Sequence, residues 1–482
     1  MRPHLISPAS SQIKSGLERK LMNRVWLKPL LDSIADRGRE LLGLRDAGRQ
    51  KLDCEALCEA LLGARGAATS LALAREILEA YASMEFTERL DFFQLLLTRF
   101  GIDVDAVEEV AGLCRQDETP QHLRQLIALA EPRRQELFRR LNMAPSGTTL
   151  LVRLRSDLLQ AMKTHPELAP VDDDLKHLFR SWFNPGFLQL EGIDWNSPAR
   201  VLEKLIAYEA VHEIQGWNDL RRRLEDDRRC FAFFHPALEG EPLIFVEVAL
   251  VKGIADQVQP LLDPNAEQTD PADADTAVFY SINNTQTGLR GISFGDFLIK
   301  RVVQALSDEF PKLKTFVTLS PLPRFRHSME AGLAGEIPGL EPERLEQLLA
   351  DFADSLRKYV PDTSTAAAAL TLAKREHIVD TAILGAILQR LALVYLTTPA
   401  DVRGGSLDPV ARFHLTNGAR LERINVFADA SERGQEQAFG VMVNYLYDPD
   451  ELVANHEQFV QHGEIPLSKA LAKEYKKISE TR

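Results

Sequence analysis

Between residues 276 and 326 the chain passes from strand to glycine-rich loop to helix to strand, and a serine closes the second strand. Thr276–Ile282 is rich in Val, Phe, Tyr and Ile, which predicts the first strand. Gly288 and Gly291 let the backbone turn tightly and come close to a ligand. The spacing of Phe297, Leu298, Val302, Ala305 and Leu306 predicts a helix from about Ser293 to Phe310. The first amides of such a helix have no partner within it, so an anion is favoured in the loop that precedes it. Lys314–Leu319 reads as the next strand, broken by Ser320-Pro321. The unit is suited to hold a phosphate-bearing ligand and to set a hydroxyl near it.

The chain has 482 residues, too many for one core, so two or three domains are expected. A formal charge of −13 argues against non-specific binding to nucleic acid or to anionic membranes. No apolar run approaches the length of a membrane span. Basic clusters such as Arg221-Arg222-Arg223 and Lys300-Arg301 read as solvated helix faces. The four cysteines, Cys54, Cys58, Cys114 and Cys230, form no metal pattern, and no histidines stand in HxxxH or HExxH spacing. No metal site is therefore expected, and the thiols read as reduced and mostly buried. The N-terminus is basic, contains serine and has no acid before Glu18, features shared with mitochondrial transit peptides. The cytoplasm is nonetheless the expected location.

Residues 1–175 read as an all-helical domain of scaffold or oligomerisation type. In Thr87–Phe100, Leu90, Phe93, Leu97 and Phe100 recur at spacings of three and four, with Thr87 placed as an N-cap. His165–Asp174 reads as an acidic linker, followed by an aromatic patch of Trp182, Phe183, Phe187 and Trp195. Residues 176–482 form the second domain. Cys230–Phe234 and Pro242–Leu250 read as strands joined by a turn. Residues from about 327 to 400 form a helical insertion. Strand character returns where Phe439, Val441, Val443, Tyr445 and Tyr447 alternate along one face. The class is α+β, a mixed sheet with helices packed against it.

The loop Gln286–Gly291 resembles the pyrophosphate loop of the acetyltransferase-like (GNAT) fold. It lacks the third glycine and the acidic strand end of a dinucleotide fingerprint. Gly291-Ile292-Ser293-Phe294-Gly295 matches the G-x-S-x-G elbow of hydrolases. About nine polar or glycine residues separate the strand from Ser293, however, and an elbow serine follows its strand directly. Ser293 therefore reads as an N-cap. Ser320 is either a turn serine or a site hydroxyl at a strand end. His414 is either a satisfied core histidine or a proton donor.

The segments Trp182-Phe183-Asn184, Gly186-Phe187-Leu188, Ile193-Asp194-Trp195 and Tyr208-Glu209-Ala210-Val211-His212 carry a wider resemblance. Phe279–Ile282, Gly288-Leu289, Gly291, Phe297–Val303, Leu319-Ser320-Pro321, Ala411–Leu415, Asn417-Gly418-Ala419 and Met442–Tyr445 extend it. Together they resemble malonyl-CoA decarboxylases from about residue 180 to 447. The resemblance implies an all-helical N-terminal domain, a GNAT-like catalytic domain and a homo-oligomer, dimer or tetramer. It implies conversion of malonyl-CoA to acetyl-CoA and CO2 with no cofactor. Ser320 and His414 match the catalytic pair, and Ser281 and Tyr447 two further active-site residues. Arg290, Gly291, Ile292, Ser293, Phe294, Gly295 and Asp296 match the segment that binds malonyl-CoA. At Ser293 the family often has glutamate, which leaves any role of that acid unfilled. An acyltransferase, a thioesterase using Ser293 and a non-catalytic malonyl-CoA sensor are the rival readings.

Overall fold

The computed structural model describes residues 54–292, 298–374, 380–399 and 406–480. Ser293, Phe294, Gly295 and Asp296 lie outside the described residues, as does the expected N-cap at Ser293. The chain forms two compact units. The first holds the helical region up to Leu188 together with His235–Glu239 and the loop segment Gln286–Ser293; the second holds the remainder.

Eight helices make the described part of the first unit's helical region: α1 (Cys54–Gly63), α2 (Ala67–Ser83), α3 (Phe86–Thr98), α4 (Val104–Gln116), α5 (Pro120–Ala130), α6 (Arg133–Asn142), α7 (Gly147–Ala161) and α8 (Ala169–Trp182). Leu71, Ala74, Leu78 and Tyr81 of α2 follow helical spacing and are buried. Phe93 and Leu96 of α3 and Leu151, Leu154 and Leu158 of α7 belong to the same helical interior.

Helix α3 starts before the expected Thr87. Glu85 is its N-cap, and Glu85 and Glu88 bond each other's backbone amides in a capping box. That reciprocal arrangement satisfies two end amides where one threonine would satisfy one. The expected acidic linker is corrected too, because most of it is α8. Asp172 and Asp174 face inward, 2.7 Å from Arg155 and 2.5 Å from Arg134 respectively. A run of aspartates looks solvated in sequence. Here two of them are neutralised by arginines from earlier helices, which makes their burial tolerable.

The second unit is built on one eight-stranded sheet. Its elements in order are β1 (Gln189–Ile193), α9 (Ala199–Tyr208), α10 (Trp217–Arg223), β2 (Arg228–Phe234), β3 (Pro242–Val251), β4 (Thr276–Asn284), α11 (Leu298–Glu309), β5 (Thr315–Thr318) and β6 (Ser320–Pro321). Then follow α12 (Phe325–Leu333), α13 (Pro342–Leu349), α14 (Thr365–Ala373), α15 (Thr381–Thr397), α16 (Pro409–Thr416), β7 (Arg420–Asn425), α17 (Glu432–Ala438), β8 (Met442–Leu446), α18 (Leu452–His462) and α19 (Lys469–Glu480). The order is β1-β2-β3-β4-β5-β8-β6, with β7 also paired to β8. Among the described strands only the pair β4 and β5 runs parallel, and α11 lies in the crossover between them. The sheet is open and mixed, and helices α12–α15 fill the span expected as a helical insertion.

The alternation expected to mark a strand falls on β8, whose first four residues are all buried, so both of its faces are covered. One local expectation changes. Arg222 and Arg223 of α10 are also buried, ion-paired to Asp227 at 2.6 Å and Glu247 at 2.8 Å. They are internal charges instead of a solvated face.

Candidate active site

The parallel pairing of β4 and β5 runs from Thr276 opposite Thr315 to Phe279 opposite Thr318 and then stops. Strand β4 continues to Asn284, whereas the chain after β5 turns onto β8 through Ser320 and Pro321. The two strands part here. Open sheets commonly bind ligands where parallel strands part in this way.

Ser320 stands at that fork. Its Oγ is 2.9 Å from Thr318 Oγ1 and 3.0 Å from His414 Nε2. His414 Nδ1 lies 2.7 Å from the Tyr447 hydroxyl. The imidazole stacks on Tyr445 with ring centres 4.6 Å apart, and Tyr447 meets the edge of Phe279.

Each member is set by its element. Tyr445 donates its backbone N–H to Thr318 Oγ1, and Tyr447 donates its own to the Phe316 carbonyl. His414 is in the last turn of α16. The start of that helix is anchored by Asp408, which accepts from the amides of Val410 and Ala411 and from the Tyr395 hydroxyl.

Electrostatics fix the protonation. Burial pushes His414 down to about 3, and among the described residues no charged neighbour opposes it. Burial pushes Tyr447 well above its ordinary value. At neutral pH both rings are uncharged. The imidazole then carries one N–H, which serves Ser320 or Tyr447 according to the tautomer.

Ser281 belongs to a second constellation. Its hydroxyl donates to Glu209 at 2.9 Å, and Asn283 Nδ2 donates to Glu209 at 2.8 Å. The same carboxylate accepts the amides of Val211 and His212. Among the described residues no hydrogen bond joins Ser281 to the Ser320–His414–Tyr447 chain. A cavity of about 180 Å³ lies against Pro321, the neighbour of Ser320, lined by Val211, His212, Asp429, Arg433 and Met442 among others. Among the described residues no three His, Cys, Asp or Glu side chains gather as a metal set.

The loop of the first unit is a short 3-10 turn, Thr287–Leu289, followed by Arg290 and Gly291. Arg290 and Gly291 are exposed and Ile292 is buried. Gly291 has φ +76°, the left-handed region that favours glycine.

Sequence reasoning gave no role to Thr318, Glu209 or Asn283. Glu209 sat inside the matched Tyr208–His212 stretch, yet nothing in its spacing says that it reaches Ser281. Thr318 is two residues before Ser320 on an extended chain, so the period of two was the available signal.

A helical region followed by an open mixed sheet, parted at its parallel strands, is the architecture of a GNAT-like enzyme. The malonyl-CoA decarboxylase C-terminal domain matches residues 186–482, and the N-terminal domain of the same family matches residues 100–183. The chain belongs to the malonyl-CoA decarboxylase family and is a carboxy-lyase. The solved malonyl-CoA decarboxylase of Rhodopseudomonas palustris is 43% identical with a TM-score of 0.78, covering 88% of this chain and 100% of that one. The rat enzyme is 35% identical over 410 residues, 80% of this chain and 82% of its own. The goose enzyme is 33% identical over 416 residues, 82% of this chain and 81% of its own. Both of these animal relatives are mitochondrial malonyl-CoA decarboxylases, which overturns the expectation of a cytoplasmic location.

Proposed function

We propose that this chain releases CO2 from malonyl-CoA through an enolate, with Ser320, His414 and Tyr447 as the hydrogen-bond chain that serves it. The bond between the carboxylate carbon and the α-carbon breaks, and its electron pair passes into the thioester as an enolate. Ser320 donates to the thioester oxygen as charge grows there, a contribution of about 3–4 kcal/mol. The Nε2–H of His414 delivers one proton to the α-carbon, giving acetyl-CoA, and a solvent proton restores the imidazole. Donation from the neutral ring leaves an imidazolate, a weaker base than a thioester enolate, so the transfer runs toward acetyl-CoA.

The observation that carries this reading is the tyrosine behind His414. In the Ser-His-Asp arrangement the imidazolium that forms is stabilised by a carboxylate at Nδ1. His414 has a neutral hydroxyl at Nδ1 and is held uncharged by burial. That environment suits donation from a neutral ring and disfavours an acyl-enzyme.

The loop Arg290–Gly291–Ile292, continued by Ser293–Asp296, binds the pyrophosphate end of malonyl-CoA. Ser281, fastened to Glu209, shapes the wall of the site and does not react. The all-helical domain runs through the end of α8 at Trp182, past the boundary expected near residue 175, with catalysis in the sheet domain that follows. Helices α4 and α5 contain no buried residue, and Val104, Leu113, Leu123 and Ile127 are exposed on them. An apolar surface of that kind supports homo-oligomer assembly, as dimer or tetramer.

The test is turnover of malonyl-CoA in D2O by the purified protein. Equal CO2 and acetyl-CoA, no free thiol, and one deuteron in the acetyl methyl group are expected. Free thiol without CO2 would overturn decarboxylation in favour of a hydrolase. Normal turnover by a folded His414→Ala variant would remove the histidine from the mechanism.

A further inference from the structure

We infer that Arg155, a residue of the helical region, is a positioning residue for the substrate loop. Its side chain is 1% exposed and uses four of its five N–H donors, the weakest being Nη2 to Asp172 Oδ2 at 3.5 Å. Nε donates to Asp172 Oδ1 at 2.7 Å, and Nη1 donates to the carbonyls of Gly288 at 2.7 Å and Arg290 at 2.9 Å. The carbonyls belong to the loop, far along the chain from α7.

The geometry has a direct consequence for ligand binding. In a trans peptide the carbonyl of one residue and the N–H of the next point in opposite directions. The chain has no cis peptide among the described residues. Holding the Arg290 carbonyl inward therefore turns the Gly291 N–H outward, on an exposed residue with a left-handed backbone. An outward amide beside a glycine is a donor for a phosphate oxygen. Gly288 keeps the loop close enough for this: a Cβ there would lie 1.8 Å from the Val152 carbonyl oxygen. A lysine at 155 could not serve both carbonyls and the carboxylate, because its three donors leave one point and lack the planar fork.

The inference rests on the proposed role of the loop in holding the pyrophosphate end of the substrate. The experiment separates the two. Steady-state kinetics are measured on malonyl-CoA and on malonyl-pantetheine, which lacks the nucleotide diphosphate. Wild type should prefer malonyl-CoA in kcat/KM; equal values would overturn the loop reading before any variant is made, and the inference with it. Arg155→Met should raise KM for malonyl-CoA about tenfold while kcat falls less than about threefold, and kcat/KM for malonyl-pantetheine should move less than about threefold.

Since Arg155→Met leaves the buried Asp172 only its longer contact with Lys176 at 3.5 Å, the double variant Arg155→Met/Asp172→Asn is measured beside it. The double variant should recover the melting temperature and keep the raised KM. If KM returns with the melting temperature, or if both substrates lose kcat/KM equally in a folded variant, Arg155 is structural only and the inference fails.

Discussion

His414 Nδ1 lies 2.7 Å from the Tyr447 hydroxyl, with both side chains buried. The tyrosine fills the position where a hydrolase would put a carboxylate. Its hydroxyl can donate to or accept from Nδ1 and brings no charge to the ring. Tyr447→Phe removes that partner and keeps the packing against Phe279. The expected loss in kcat is about tenfold to a hundredfold, or about 1.4–2.7 kcal/mol of transition-state stabilisation, with little change in melting temperature. A variant as fast as wild type would show that Tyr447 only packs.

The low value of His414 has a sign that can be checked. Its ring titrates at about 3 in the folded protein against 6.5 when exposed. Between those values the unfolded chain binds the extra proton and the folded chain does not, so stability falls as pH is lowered through that window. Above 6.5 the two states are alike and the group contributes nothing. By about pH 4.5 the penalty from this ring is on the order of 2–3 kcal/mol. His414→Gln should flatten the acid limb of the stability curve measured by urea unfolding at successive pH values. An unchanged slope would mean that the ring is hydrated in solution.

Part of this architecture was legible in the chain. Val278, Phe279 and Tyr280, then Gly288 and Gly291, then the apolar spacing of residues 298–306, gave strand, loop and helix. Local sequence encodes those features directly. Ser320 and His414 came from segment resemblance, because spacing alone cannot say that two residues so far apart are in contact. The misplaced charges share one cause. Asp172, Asp174, Arg222 and Arg223 were read as solvated because charge is normally outside, yet each has a buried counter-charge contributed by a distant part of the chain or by a turn. Which charge finds which partner depends on tertiary packing, and no periodicity announces it. The same holds for Glu209, whose carboxylate joins α9 to β4 through Ser281 and Asn283.

The Arg223–Glu247 pair offers a stability test. The two groups are 2.8 Å apart and nearly fully buried. Burial raises Glu247 to about 7 even though Arg223 pulls it down. Arg223→Met leaves that carboxyl without its cation and removes bonds to Asp219 and the His212 carbonyl. The expected loss is about 3–5 kcal/mol in urea unfolding at neutral pH. Arg223→Met/Glu247→Leu should recover most of it, since a matched apolar pair has no charge to desolvate. If the double variant is no better than the single one, the cost lies in lost packing and not in the stranded carboxyl.

Two glycines of one loop should behave differently, and the difference tests how the loop is held. At Gly288 an added Cβ would meet the Val152 carbonyl oxygen at 1.8 Å, far inside contact distance, so the loop or α7 must move. At Gly291 the space is open apart from the Lys176 side chain at 3.6 Å, and only the left-handed backbone resists substitution. Gly291→Ala should cost about 1–2 kcal/mol of strain. Gly288→Ala should cost about 2–3 kcal/mol and also loosen the Arg155 contacts, because the carbonyl that Arg155 holds belongs to the displaced residue. Urea unfolding of the two variants compares the costs, and protease susceptibility around residue 290 reports the loosening. Equal unfolding midpoints, with no new cleavage in Gly288→Ala, would mean that the loop does not sit against α7 in solution. The Gly288 contact would then not be what brings the Arg155 fork within reach of the loop carbonyls.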